Sequence, residues 1–550
     1  MGRNEKIGLV IIVSLSALLY LFNTRLEFFL DDPGLFAKIS ANITDSNDWI
    51  NLKLSGKDWL DKPHLPFWII SVFFEIFGVH SWSFYLPHSL ALIAGLLYTY
   101  KFALRIYTRD VALLSVFILA TAQHIFMAST EGRVEPFLML FIIAAVFHFD
   151  GYLSTFSKKD CLIACLMTSC AIMTKGIFVV VPILGAVIGH EIISRKSFKP
   201  ILKWYWLIIG ILILLFITPE LVALWIQFDS QPKKIVFGRE GVSGIMWFLW
   251  DSQFSRLVND GPITRSDGNI FYYVHTMAWA LFPWCLIFYY AVYKRISNTL
   301  QGKEVKEYYT IAGSLLMLFL FSISKFQLPH YVTIIFPFCA ILTAQVILDV
   351  FSSKEKTAMS CVLMTQNIFA LGAMIYLCWL MNIGMLKSIS IVLLIVIVWG
   401  ILIKKIKPRF LIAIAISGLM TLCLNFMISI LVFPTVSAHR GDNKAALYIN
   451  DTYPDTEVLT LGAISHRFNF YLNDEVTKEW QPNANKIDLY KEYNIILTLQ
   501  QEFVPLMNAT HEVVARFEHY RSEHISPKFL DPNTRDAYVE EYVVLKKISQ

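Results

Sequence analysis

Apolar runs of membrane-spanning length, separated by short charged turns, recur from the first residues to about position 433, and the pattern then changes. Thirteen runs are read as spans, near residues 6–23, 82–107, 110–130, 133–153, 159–173, 176–194, 203–227, 270–294, 307–324, 328–350, 358–381, 387–404 and 409–433. A helix of about 20 apolar residues crosses a hydrocarbon core of about 30 Å. The run at 65–79 is short and opens at Pro66, so it is expected to lie along the interface or re-enter. Beyond 434 the apolar runs shrink to strand length, at 457–461, 494–499 and 542–545, between polar helical stretches. The expected architecture is an all-α polytopic bundle over 1–433 with a small α/β domain over 434–550.

Charge tests the span count independently. With a cytoplasmic N-terminus, every inner loop is basic, from Lys101, Arg105 and Arg109 to Lys404, Lys405, Lys407 and Arg409. An odd number of spans then places the tail outside, together with the loops 24–81 and 228–269. Arg3 and Lys6 precede the first run, and no convincing cleavage site follows, so that run is read as a retained span. A composition 56% hydrophobic and 15% aromatic excludes a soluble globule of 550 residues. The net charge of +5 is spread over short loops and implies no nucleic-acid partner. All eight cysteines fall in apolar stretches, with no disulfide framework or zinc spacing.

Candidate chemistry collects on the outer side. Asp31 and Asp32 are adjacent at the mouth of the bundle, where carboxylates are costly unless water, a cation or a substrate meets them. As neighbours their side chains diverge, so one is expected to face the cavity, as a general base or a ligand for a reacting hydroxyl; the alternative is a helix cap or solvated loop acid. A helix is expected at 35–46. In Asp61-Lys62-Pro63 an acid adjoins a cation at interface depth, suited to a lipid-borne phosphate, with a snorkelling lysine as the plain alternative. Glu131, Arg133 and Glu135 lie where the third and fourth spans meet, and Glu135, followed by Pro136, is in position to face the bundle. Lys175 and Lys325 occupy short outer turns, against the general charge bias. Arg256 and Arg265 in the loop 228–269 are further candidates for a phosphate. No Walker loop, dinucleotide fingerprint, His-Glu-x-x-His pair or nucleophile elbow occurs, so the reagent is expected to arrive already activated from the membrane. A lipid or sugar transporter without catalysis is the rival class, although its charges would be expected nearer the midplane.

These residues carry a resemblance. Asp32-Pro33-Gly34-Leu35-Phe36-Ala37-Lys38-Ile39-Ser40, then Asp48-Trp49, then Asp61-Lys62-Pro63, resembles the first external loop of bacterial membrane glycosyltransferases related to protein O-mannosyltransferases, in particular the 4-amino-4-deoxy-L-arabinose transferases of lipid A. The similarity continues through Glu135-Pro136-Phe137, Met173-Thr174-Lys175-Gly176, Phe282-Pro283-Trp284 and Ser324-Lys325 with Leu328-Pro329 and Tyr331. It implies a GT-C fold of about thirteen transmembrane helices in a bacterial inner membrane, with an extracytoplasmic C-terminal domain. It also implies transfer of a sugar from a polyprenyl-phosphate donor to a lipid A-like, protein or polysaccharide acceptor. Asp32 then matches the catalytic aspartate and Lys62 the lysine for the carrier phosphate, with Glu135 a second acid and Asp31, Asp61 and Tyr331 lining the cavity. The chain departs from the family pattern at Pro33, Phe36, Asp61 and Glu135. No histidine stands near Trp250-Asp251-Ser252-Gln253, where the lipid A enzymes carry a Glu-His pair able to bind metal, so no metal ligand is assigned and a divalent cation is the only cofactor left open.

Overall fold

Pro329–Val350 lies at the centre of the helical region, with 83% of its most apolar stretch buried, as expected of a helix apolar on every side. Around it pack Arg109–Ala120, Tyr309–Ile323, Cys285–Leu300 and the pair Ser81–Ile106 and Glu135–Thr155. This computed structural model describes residues 1–550 except 263, 265–267, 352, 385–408, 455, 463–464, 474–477, 481–489, 500–502 and 549–550. The span expected at 387–404 therefore lies outside the described residues.

Among the described residues, seven helices are long and apolar enough to cross a membrane, and the chain is a multi-pass membrane protein. The other apolar runs within the described residues form shorter or broken helices. The run at 203–227 bends by 46° between Tyr205–Phe216 and Thr218–Asp229, beside Pro219, whose missing N–H and bulky ring disfavour a straight continuation. The runs at 110–130 and 270–294 also divide, around 121–122 and around Pro283. Leu65–Phe77 has 13 residues, a rise of about 20 Å, short of a full crossing.

The helix expected at 35–46 begins a turn earlier, at Asp31–Ser46, so both aspartates stand in its first turn, where the helix dipole favours negative charge. Phe36 stacks on Phe67 at 5.2 Å, seating this helix on Leu65–Phe77. Its other neighbour is His466–Tyr471, a short helix of the tail.

Among the described residues the tail carries a sheet of five strands, β1 (Val458–Leu461), β2 (Lys478–Trp480), β3 (Ile495–Thr498), β4 (His511–His519) and β5 (Glu540–Lys547), in the order β2-β1-β3-β5-β4. β1 runs parallel to β2 and β3, whereas β5 is antiparallel to β3 and β4. The three strands expected from sequence are β1, β3 and β5, the interior of the sheet, where β1 and β3 are buried at every residue.

Candidate functional site

Two short spans of chain carry the segment 47–64 onto the bundle. The hairpin of Lys53–Leu54 with Lys57–Asp58 is held by Gln227, whose amide donates to the Leu52 carbonyl at 2.8 Å and to Asp58 at 3.0 Å while its oxygen accepts from the Leu52 N–H at 3.1 Å. His64 is clamped to the same bent helix pair. Its backbone N–H donates to Glu220 Oε2 at 3.0 Å, its Nδ1 lies 3.0 Å from Glu220 Oε1, and its Nε2 lies 2.9 Å from the Ile50 carbonyl. A carbonyl only accepts, so Nε2 carries a proton, and a second proton lies between Nδ1 and the carboxyl. Burial opposes the imidazolium, but Glu220 outweighs it and holds the His64 pKa above its ordinary value. Asp61-Lys62-Pro63 is thereby fixed between two anchored points.

Around that segment the charges converge. Lys62 bonds to Asp61, and Arg256 donates to the other Asp61 oxygen at 2.6 Å. Burial opposes ionisation of Asp61, yet Lys62 and Arg256 together keep its carboxyl below the usual range. Burial draws the Lys62 ammonium down, Asp61 acts in the opposite sense, and Arg256 adds to the lowering. Deeper in the bundle, Lys175 ends the helix Lys158–Lys175 and bonds to Glu135, both almost fully buried, with its ammonium 4.0 Å from the centre of the Tyr331 ring. Lys62 and Arg256 lie near enough to act on the charge of Lys175, which joins the two pairs into one cluster. Among the described residues the cluster holds three cations, Lys62, Arg256 and Lys175, against two carboxylates, Asp61 and Glu135. Glu135 Oε2 has no hydrogen-bond partner there, and His330 Nε2 lies 3.7 Å from Oε1.

The acidic pair divides as neighbouring helical residues must. Asp32, 48% exposed, meets Arg133 at 2.6 Å and lies near enough to act on the charge of Lys62. Arg133 also reaches Glu131 at 3.5 Å, and these carboxylates outweigh burial to raise its pKa. The turn between them needs Gly132, whose φ of +59° is left-handed and whose absent Cβ would fall 3.0 Å from Pro33. Asp31 turns the other way, to His466 and Arg467 of the tail.

Of the remaining expected residues, Lys325 is exposed on a strap hydrogen-bonded to the Arg256 segment, its N–H donating to the Leu257 carbonyl at 3.0 Å. Arg265 lies outside the described residues. Sequence reasoning missed His64, Glu220, Gln227, His330 and the tail's Arg467. His64 directly follows Lys62-Pro63 and His330 directly precedes Tyr331, which is the one signal that pointed to them.

No group of three or more His, Cys, Asp or Glu side chains able to hold a metal ion gathers among the described residues. The carboxylates of the cluster each face a lysine or arginine, a donor set suited to an anion and not to a divalent cation.

The fold defines a class, a polytopic helical membrane protein with an α/β tail. Residues 61–223, which include Asp61, Lys62, Glu135 and Lys175, match the family described as dolichyl-phosphate-mannose-protein mannosyltransferase. The chain resembles the undecaprenyl phosphate-alpha-4-amino-4-deoxy-L-arabinose arabinosyl transferases. It is 24% identical over 350 residues to the transferase numbered 2 of Sodalis glossinidius, covering 62% of this chain and 59% of the relative. To that of Shewanella sediminis it is 22% identical over 358 residues, covering 64% and 62%. The chain thus spans about three fifths of the length of these curated relatives. Among solved structures, ArnT from Cupriavidus metallidurans bound to undecaprenyl phosphate shares the fold with a TM-score of 0.74 at 15% identity, over 98% of both chains. The archaeal oligosaccharyltransferase AglB from Archaeoglobus fulgidus, in complex with an inhibitory peptide and a dolichol-phosphate, follows at a TM-score of 0.51 and 11% identity, over 91% of this chain and 70% of that one.

Proposed function

We propose that this protein is a bacterial inner-membrane glycosyltransferase that moves a sugar from a polyprenyl-phosphate donor to an envelope acceptor, a lipid A-like glycolipid. Its N-terminus is cytoplasmic and its tail extracytoplasmic, as the basic inner loops require. The observation that carries the reading is the convergence of Lys62, Arg256 and Lys175 at the end of the bundle where Asp32 stands. Such a set of cations suits an anion that also occupies the membrane, such as the phosphate of a polyprenyl carrier.

In the reaction the acceptor hydroxyl or phosphate oxygen forms a bond to the anomeric carbon and the bond to the carrier phosphate breaks. Asp32 takes the proton of an acceptor hydroxyl, and Lys62 and Arg256 meet the charge growing on the leaving phosphate. Arg133, 2.6 Å from Asp32, holds that carboxylate in place. Lys175, Lys325 and Arg265 are further donors for the phosphate, and Glu135 and Tyr331 line the cavity. The family match over 61–223 favours a second reading, a protein hydroxyl as acceptor.

Mass spectrometry of lipid A and of envelope glycoproteins tests the proposal in cells with the wild-type gene, a deletion and Asp32→Asn. Loss of one sugar from a single pool in both mutants supports it and identifies the acceptor. Normal glycosylation in Asp32→Asn would remove Asp32 from the chemistry, and substrate translocation with no new glycosidic bond would favour the transporter.

A further inference from the structure

We propose that the tail is a positioning element for the candidate base: Arg467, acting through Asp31, sets the first turn of the Asp31–Ser46 helix so that Asp32 faces the cation cluster. The inference rests on the function proposed above only for the role of Asp32.

Four consecutive positions lead into that helix, and the tail grips them at both ends. The Phe28 N–H donates to the Tyr471 hydroxyl at 3.1 Å, and the Phe28 carbonyl accepts from Asn443 at 2.8 Å. The Asp31 N–H donates to the Glu523 carboxylate at 2.8 Å, and Asp31 Oδ1 accepts from the His466 N–H at 2.7 Å. Between them, Phe29 stacks on Phe433 at the end of the last long helix, with ring centres 4.8 Å apart. A domain that merely covered the cavity mouth would have no need to hold the backbone entering the helix.

Arg467 is the hub of this grip. It is 4% exposed; one guanidinium nitrogen stands 3.9 Å from Asp31 and the other donates to Asp442 at 2.8 Å. Asp442 is wholly buried, accepts from Ser465 and lies 3.5 Å from His519 on β4. Asp31 therefore connects through Arg467 and Asp442 to the sheet of the tail. A second connection runs through Arg440, just beyond the last long helix, which donates to the Tyr520 and Ser522 carbonyls beside Glu523. The approach is as close as backbone permits. A Cβ at Gly34 would fall 2.6 Å from the Arg467 nitrogen and 2.8 Å from the His466 carbonyl carbon, so only glycine lets the tail helix seat on this turn. With Asp31 committed to the tail, the helical step of about 100° leaves Asp32 directed at Arg133 on the bundle side.

The test uses the full-length protein in lipid nanodiscs, with Arg467→Met, Arg467→Lys and Asp31→Asn. Three quantities are read: hydrogen exchange over residues 28–46, affinity for undecaprenyl phosphate alone, and steady-state sugar transfer. Arg467→Met is expected to raise exchange in the first helical turn about tenfold. It is expected to lower kcat about tenfold or more while affinity for undecaprenyl phosphate stays within about twofold, and Arg467→Lys is expected to restore most of both losses. Should Arg467→Met fail to fold, Asp31→Asn breaks the same contact from the other side and carries the same expectation. Unchanged exchange over 28–46 in the folded variants overturns the proposal. A loss of undecaprenyl phosphate affinity as large as the loss in kcat also overturns it, because the substitution would then act on the cluster and not on Asp32. If the wild type transfers no sugar, the function proposed above fails, while the exchange measurement still decides the role of the tail.

Discussion

Two polar clusters flank the first turn of the Asp31–Ser46 helix, and they are built from the same residue types to different ends. On the bundle side, Lys62, Arg256 and Lys175 outnumber Asp61 and Glu135 among the described residues, and Glu135 keeps an unpartnered oxygen. On the tail side, Asp31, Asp442 and Glu523 face Arg440, Arg467, His466 and His519, and their contacts run between the helix and the tail. Buried ionic groups are stable when paired and costly when not. The tail-side cluster therefore joins two parts of the protein, whereas the bundle-side cluster gathers cations that suit an anionic ligand.

The sharpest way to break this comparison is at the acid between the two clusters. Asp32→Asn preserves shape and removes the proton acceptor, so kcat for sugar transfer is expected to fall about 10²- to 10⁴-fold. Affinity for undecaprenyl phosphate should remain, as measured by calorimetry. The bundle cluster is tested next. Arg256→Met or Lys62→Met removes a charge-assisted bond of about 1.5–3 kcal/mol, which is expected to weaken undecaprenyl phosphate binding about ten- to hundredfold. Added undecaprenyl phosphate should raise the melting temperature of the wild type and do so much less in these variants.

On the tail side, Gly34→Ala forces a methyl group against the Arg467 backbone. The expected cost is about 1–3 kcal/mol, visible as faster proteolysis of the tail with the bundle still folded. The smallest effects concern pH. The Asp442 carboxyl is held well below its usual range, against burial, by its contacts with His519 and Arg467. A depressed carboxyl contributes stability above its unfolded pKa of 3.8, lost only as pH falls below that value, so the tail should stay docked from neutral pH into mild acid. His64 behaves in the opposite sense. Its raised pKa gives stability that is complete below the unfolded value of 6.5 and lost as pH rises through the folded pKa. Melting temperature should therefore decline on the alkaline side of 6.5, and His64→Gln should flatten that slope. An identical slope in the variant would mean that the His64–Glu220 pair does not hold the Lys62 loop.

What was legible in the chain followed from local rules. The apolar runs could be read as helices, but whether a run stays straight depends on single residues such as Pro219 and on what packs beside it. The interior strands β1 and β3 were visible because burial on both faces makes them continuously apolar. The edge strand β4, His511–His519, alternates charged with apolar residues and is only partly buried, so its composition resembles that of a loop. Asp32, Lys62, Glu135 and Lys175 drew notice because charge beside apolar runs is costly. His64, Glu220 and Gln227 did not, since their partners lie across the fold, 156 residues away for His64 and Glu220.

The sequence by itself determined that this is a membrane bundle with a separate tail, because hydropathy and charge bias act locally and require no partner. It also determined that two adjacent acids cannot face the same way. Which of them turns to the cations was decided only by the tertiary structure. That choice depends on Arg467, more than four hundred residues away along the chain, arriving against a glycine that leaves it room.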